Sequence, residues 1–118
     1  MVGKKGGTGE MAKWLLVVET KCTDAAREAE FNEWYDKTHL PDVLETPGFI
    51  RATRYENTEP SEGKAKFLAT YEIETDDIDK LMRTNSDNLA RKRAAGRVSE
   101  LLVIVSRGLY KQISSVSR

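Results

Sequence analysis

Apolar positions recur along this chain with two different periods, and the alternation of periods sets out its elements. "KWLLVVETK" (13–21) is apolar, β-rich and flanked by polar residues, so it reads as a strand. Thr23 or Asp24 follows, each with an oxygen that can accept the free amide hydrogens of a first helical turn. The helix is predicted to run to about His39. Phe31, Trp34, Tyr35 and Thr38 fall at i, i+3, i+4 and i+7 on one face, and Glu30, Glu33 and Lys37 take the other. Pro41 has no amide hydrogen and biases Leu40 away from helical angles, so the helix is expected to end there and leave a gap beside His39, with "PDVLE" (41–45) free to start a separate short helical turn.

A turn at Pro47-Gly48 opens "FIRATRYE" (49–56), whose period of two puts Phe49, Arg51, Thr53 and Tyr55 on one face and Ile50, Ala52 and Arg54 on the other. "NTEPSEGKA" is the loop of a hairpin, rich in turn formers. "KFLATYEIE" (66–74) is the third strand, with Phe67, Ala69, Tyr71 and Ile73 on one face. "TDD" (75–77) caps a second helix with an apolar stripe of Ile78, Leu81, Met82 and Leu89, on which Asn85 also lies, and Gly96 weakens its end. "LLVIVSRGLYKQI" (101–113) is the fourth strand, with Gly108 marking a bulge.

The order βαββαβ predicts an α+β, ferredoxin-like sandwich: a four-stranded antiparallel sheet with two helices on one face. Residues 13–113 form that domain, residues 1–12 are expected to be a disordered extension, and 114–118 a frayed tail. "WLLVV" and "LLVIV" are apolar at every position, so both faces of those strands call for burial. Two helices cover only one face of a sheet. A second copy of the chain, burying roughly 800 Å² per partner, is the simplest cover for the other, and a homodimer is expected.

Charge narrows the partners. Lys plus Arg and Asp plus Glu number 19 each, so there is no basic excess to draw the chain to nucleic acid. "RKRAAGR" (91–97) is a local exception, read as a solvated helix face or as an anion site. Cys22 is the only cysteine, which rules out a disulfide within the chain and suits a reducing cytosol, so a cytoplasmic location is expected. No apolar run reaches the length of a membrane helix. One histidine and one cysteine make a poor first shell for a metal, and neither metal nor cofactor is expected.

The stretch "FNEWYDKTHLPDVLETPGFIRATRYE" (31–56) resembles the W/F-x2-WY-x3-H-x-P…PGF-x2-A-x-R-Y pattern of the dimeric α/β-barrel superfamily, and within it the EthD-like group. That resemblance implies two sheets facing each other across a dimer and a pocket between the sheet and the helices of each subunit. It implies a histidine at the pocket mouth. It leaves the activity open, since such barrels include isomerases, monooxygenases and cyclases.

His39, the single histidine, is the candidate acid–base residue, and Tyr35 is its catalytic neighbour one helical turn away. A helix C-terminus favours the cationic form, and Asp36 or Asp42 is in local reach of its second N–H. Trp34, Phe67, Tyr71, Asn85 and Arg51 are the candidate substrate-binding residues: aromatics for an apolar ligand, Asn85 for hydrogen bonding, Arg51 for an anionic group. The expected pocket is bounded by the first helix, the loop from Leu40 to Pro47 and the strand face carrying Phe67, Ala69 and Tyr71. Two functions fit: a small cofactor-independent isomerase, cyclase or monooxygenase acting on an aromatic or polyketide-like molecule, or a non-catalytic dimeric protein in which His39 only packs.

Overall fold

The computed structural model describes residues 10–59 and 61–118. The expected N-terminal extension therefore lies, for residues 1–9, outside the described residues. Four strands, β1 (Ala12–Cys22), β2 (Phe49–Glu56), β3 (Phe67–Thr75) and β4 (Leu102–Lys111), form one antiparallel sheet in the order β2-β3-β1-β4. The helices α1 (Glu28–Trp34), α2 (Leu40–Val43) and α3 (Ile78–Ala94) join them, with α1 and α2 forming a single rod. The βαββαβ order and the ferredoxin-like architecture are those read from the sequence.

The core lies between the sheet and the helices. Leu16 and Val18 on β1 and Phe67, Ala69, Tyr71 and Ile73 on β3 bury their side chains against Phe31, Tyr35, Val43 and Leu81. Gly48 has a φ of +101°, and a side chain there would run into Leu81, so only glycine lets the β2 turn tuck under α3. The Asp77 carboxylate accepts the Lys80 N–H at the start of α3. At its end Gly96 (φ +76°) closes a Schellman turn: the Arg97 N–H donates to the Lys92 carbonyl and the Gly96 N–H to Arg93.

Three local expectations fail, each for a physical reason. First, Pro41 does not end the helix. Residues Tyr35–His39 form a π turn, in which the Leu40 N–H donates to the Tyr35 carbonyl five residues back, and the rod continues through Pro41 to Val43. A proline inside a regular α-helix leaves one carbonyl without a donor and presses its ring on it; the wide turn absorbs the defect. Second, β2 carries a bulge at Ile50, with Phe49 opposite Ile73 but Arg51 opposite Glu72. The extra residue reverses the faces beyond it, so Ala52 and Arg54 join Phe49 on the core side while Arg51 points away. Third, the β4 bulge is at Val105, between the Glu19–Ser106 and Thr20–Ile104 pairs, and Gly108 pairs regularly with Val17.

Candidate functional site

The π turn decides where His39 points. With one more residue in the turn, the imidazole stacks on Trp34, five positions back, at 4.8 Å between centroids and 25° between planes. Tyr35 meets it edge-on at 5.0 Å. Trp34 is held in turn by its indole N–H, which donates to the Arg97 carbonyl at 2.8 Å, just beyond the Schellman turn. A clamp from the end of α3 therefore fixes the platform on which His39 lies.

His39, Tyr35, Tyr71 and Asn85 line one cavity of about 70 Å³, walled by Leu16 and Val18 of β1, Val43 of α2 and Leu89 of α3. These four are candidates from the sequence, and the fold brings them together from three elements. Trp34 lies behind His39 rather than on the cavity wall. Phe67 packs on Phe31 at 5.8 Å, one layer away from the cavity, and is a core residue. Arg51 is exposed on the far side of the sheet, opposite Glu72, so it cannot anchor a ligand in this cavity. The expected boundary also changes: α3, through Leu89, and β4, through Leu102 and Ile104, supply the fourth wall, and Ala69 is buried outside it.

The arginine that does turn inward is Arg54. Its guanidinium lies 4.3 Å from the Tyr35 ring centre and donates to Asp36 Oδ1 at 3.0 Å and Asn32 Oδ1 at 2.9 Å. The sequence reading selects Arg51 instead, because a bulge leaves no mark in a short alternating run.

Electrostatics set the protonation states. Burial lowers the pKa of His39 to about 4, with the Asp42 charge working against that and Arg54 adding to it. The imidazole is therefore neutral at physiological pH, contrary to the cationic form expected from the helix end. Neither proposed carboxylate partner bonds it: Asp36 is taken by Arg54, and Asp42 receives two hydrogen bonds from Arg97, Nε to Oδ2 at 2.8 Å and Nη2 to Oδ1 at 2.9 Å. Burial raises the pKa of Tyr35, offset in part by the neighbouring Tyr71 and Thr20 oxygens and by Arg54. Burial and the Tyr35 phenol together push Tyr71 well above the ordinary tyrosine value. Both phenols remain O–H donors at neutral pH. Thr20 Oγ1, beside the Tyr35 phenol, is buried with no hydrogen-bond partner.

Asn85 stands at the other end of the cavity. Its side-chain oxygen accepts the Thr46 hydroxyl at 3.1 Å, and Asn88 donates to both Thr46 Oγ1 and the Asp42 carbonyl. This buried network ties α3 to the segment that follows His39. No cluster of three or more metal-ligating side chains occurs among the described residues, and no described helix is long and apolar enough to cross a membrane.

Comparison with known proteins agrees with this architecture. Among solved structures, SnoaB from Streptomyces nogalater, described as a cofactor-independent oxygenase, superposes with a TM-score of 0.65 at 17% identity, over 91% of this chain and 99% of that one. HapK from Hahella chejuensis gives 0.61 at 14% identity, over 89% and 97%. An ethyl tert-butyl ether D (EthD) family protein from Bacillus halodurans gives 0.54 at 22% identity, over 86% and 99%. At these identities the likeness is one of fold. No curated protein matches the sequence. Residues 14–109 match the family described as "Domain of unknown function (DUF4286)", and the chain belongs to that family, with a ferredoxin-like fold.

Proposed function

We propose that the protein is a homodimeric enzyme that works without a cofactor on an apolar, aromatic small molecule, and that its first chemical step is removal of a proton by His39. The observation that carries this reading is a neutral imidazole and two protonated phenols facing one apolar cavity. A neutral imidazole has a lone pair free to take a proton from a phenol or from carbon next to a carbonyl. The Tyr35 and Tyr71 hydroxyls would donate to the oxygen on which the negative charge develops. The new anion beside the ring would raise the imidazole pKa as the proton arrives. Isomerisation, cyclisation and oxygenation can all begin with this step, and the last is the activity in the description of SnoaB.

Proton removal can be tested without the natural substrate. Anthrone and 2-tetralone carry acidic C–H groups beside aromatic rings. The protein should speed exchange of those hydrogens with deuterated solvent, read by NMR, and His39→Phe should lose the acceleration while melting normally. Equal rates with and without protein would refute the proposal.

The second reading, a non-catalytic binding protein, draws on cavity size. At about 70 Å³ the inner chamber alone is far smaller than small-molecule pockets, which run from roughly 300 Å³. Binding of these probes without exchange would favour it.

Support for the dimer comes from the sheet face away from the helices. Leu15, Val17 and Leu68 lie there beside Tyr55 and Tyr110, which are 54% and 61% exposed, and no helix covers them. Light scattering at micromolar concentration should give twice the 13.3 kDa chain mass, and a monomer would refute the assembly.

A further inference from the structure

The cavity is not closed on its α3–β4 side. It adjoins an outer chamber of about 280 Å³, and the two share Asn85, Leu89, Arg93 and Arg107. The outer chamber is lined by Met82, Leu89 and Ala90 of α3 together with Asn85, Ser86 and the two arginines, so it is polar where the inner one is largely apolar. Arg93 comes from the last turn of α3 and Arg107 from β4, where it pairs with Val18 of β1 and so faces the helix side of the sheet. The Arg107 charge is felt at the Tyr71 phenol deeper inside.

The other basic residues of the 91–97 cluster have separate duties. Arg97 is bound to Asp42 and Lys92 to Glu45, while Arg91 lines neither chamber. Arg93 and Arg107 form no ion pair among the described residues, and no carboxylate lines either chamber. Two guanidinium groups that line the same passage with no carboxylate beside them present unpaired positive charge to a ligand that enters. Their planar donor forks suit a carboxylate.

We propose that the ligand of this cavity is an aromatic carboxylate, held with its ring toward His39 and its carboxylate between Arg93 and Arg107 at the neck. This rests on the reading of the cavity as a small-molecule site and adds the class of molecule it takes. The two arginines select the ligand and set its direction of entry, so the end remote from the carboxylate reaches the imidazole and the phenols.

A matched pair of probes separates the anion site from the cavity. 2-Naphthoate and 2-naphthol present the same ring system with and without the carboxylate, and their dissociation constants can be measured by calorimetry. The wild-type protein should bind naphthoate at least about tenfold more tightly than naphthol, with a preference that shrinks as salt is raised. Arg93→Gln with Arg107→Gln should abolish the preference and leave naphthol affinity within about twofold. Both side chains are exposed, so the double variant should melt as the wild type does. Arg91→Gln, a charge-matched control outside both chambers, should keep the preference. Equal affinities in the wild type, no binding of either probe, or a preference that survives the double variant would each overturn the proposal. Failure of the deuterium-exchange test alongside an arginine-dependent naphthoate preference would remove the catalytic reading and keep the anion site.

Discussion

The guanidinium carbon of Arg54 sits 4.3 Å above the centre of the Tyr35 ring, and Phe67 borders the same group at 5.1 Å. A cation from an edge strand thus holds the back of the tyrosine whose hydroxyl enters the cavity. Its charge is answered by Asp36 and its remaining donors by Asn32. Arg54→Ala should destabilise the protein by about 2–4 kcal/mol, since it removes a largely buried cation–π contact and leaves the Asn32 oxygen unpaired. Arg51→Ala, three residues away on the open face, should change stability by less than about 0.5 kcal/mol. Urea melts of the two variants side by side decide it, and equal losses would contradict the assignment of faces.

Because the chain has one histidine, its titration can be read without assignment. The imidazole proton resonances should move with a midpoint near pH 4 rather than 6.5. The unfolded chain takes up this proton from about pH 6.5 downward while the folded chain resists until about 4. Stability should therefore be full above pH 6.5, fall as pH drops through that window by about 3 kcal/mol at most, and level off below it. His39→Phe should flatten the decline. A midpoint near 6.5 in the native protein would show that the ring is solvated.

A second acid-sensitive step lies lower. The Arg97 hydrogen bonds hold the Asp42 carboxyl below the usual carboxylate range, so its contribution is complete above the ordinary aspartate pKa and lost as pH falls through the depressed one. Arg97→Gln leaves a buried carboxylate without its main partner and should lower the melting temperature clearly. Arg27→Gln breaks a pair with Glu30 that is open to solvent and should cost less than Arg97→Gln. Thermal melts at pH 7 compare them, and a smaller loss for Arg97→Gln would mean that Asp42 is solvated.

The bulge makes an unusual deletion test. Removing Ile50 restores simple alternation and keeps Phe49, Ala52 and Arg54 facing the core. Removing Thr53 instead puts Arg54 out of phase with Ala52 and Phe49. The Ile50 deletion should fold with a loss of about 1–2 kcal/mol, and the Thr53 deletion should lose at least twice that. Circular dichroism melts give the order, and the reverse order would place the irregularity elsewhere in β2.

These differences mark what the sequence could and could not tell. The strands, the Asp77 cap, the Pro47-Gly48 turn and the Gly96 stop are written in local chemistry, and each was legible. His39, Tyr35, Tyr71 and Asn85 were among the candidates named from the sequence, alongside Trp34, Phe67 and Arg51, and only the tertiary fold separates the four that line one cavity from the rest. The bulges at Ile50 and Val105 were not, since an extra residue in a strand satisfies the same local preferences as its neighbours and is fixed only by the partner strand. Arg93 and Arg107 were missed as site residues because they stand 14 positions apart in the chain and meet only through the packing of α3 on β4.

The wide turn at Tyr35–His39 is, in geometric terms, a phase slip in a helical rod. Phe31 and Val43 both reach the core although one extra residue has been threaded between them. The direction of the imidazole is thus set by the residue count between Phe31 and Pro41, and not by side chains that a point substitution could retune. A related chain with one residue fewer in that interval would form a more regular helix and turn its histidine by about 100°, away from the cavity. Spacing in this segment, rather than presence of the histidine, is the feature by which chains sharing this site should be told from chains sharing only the fold.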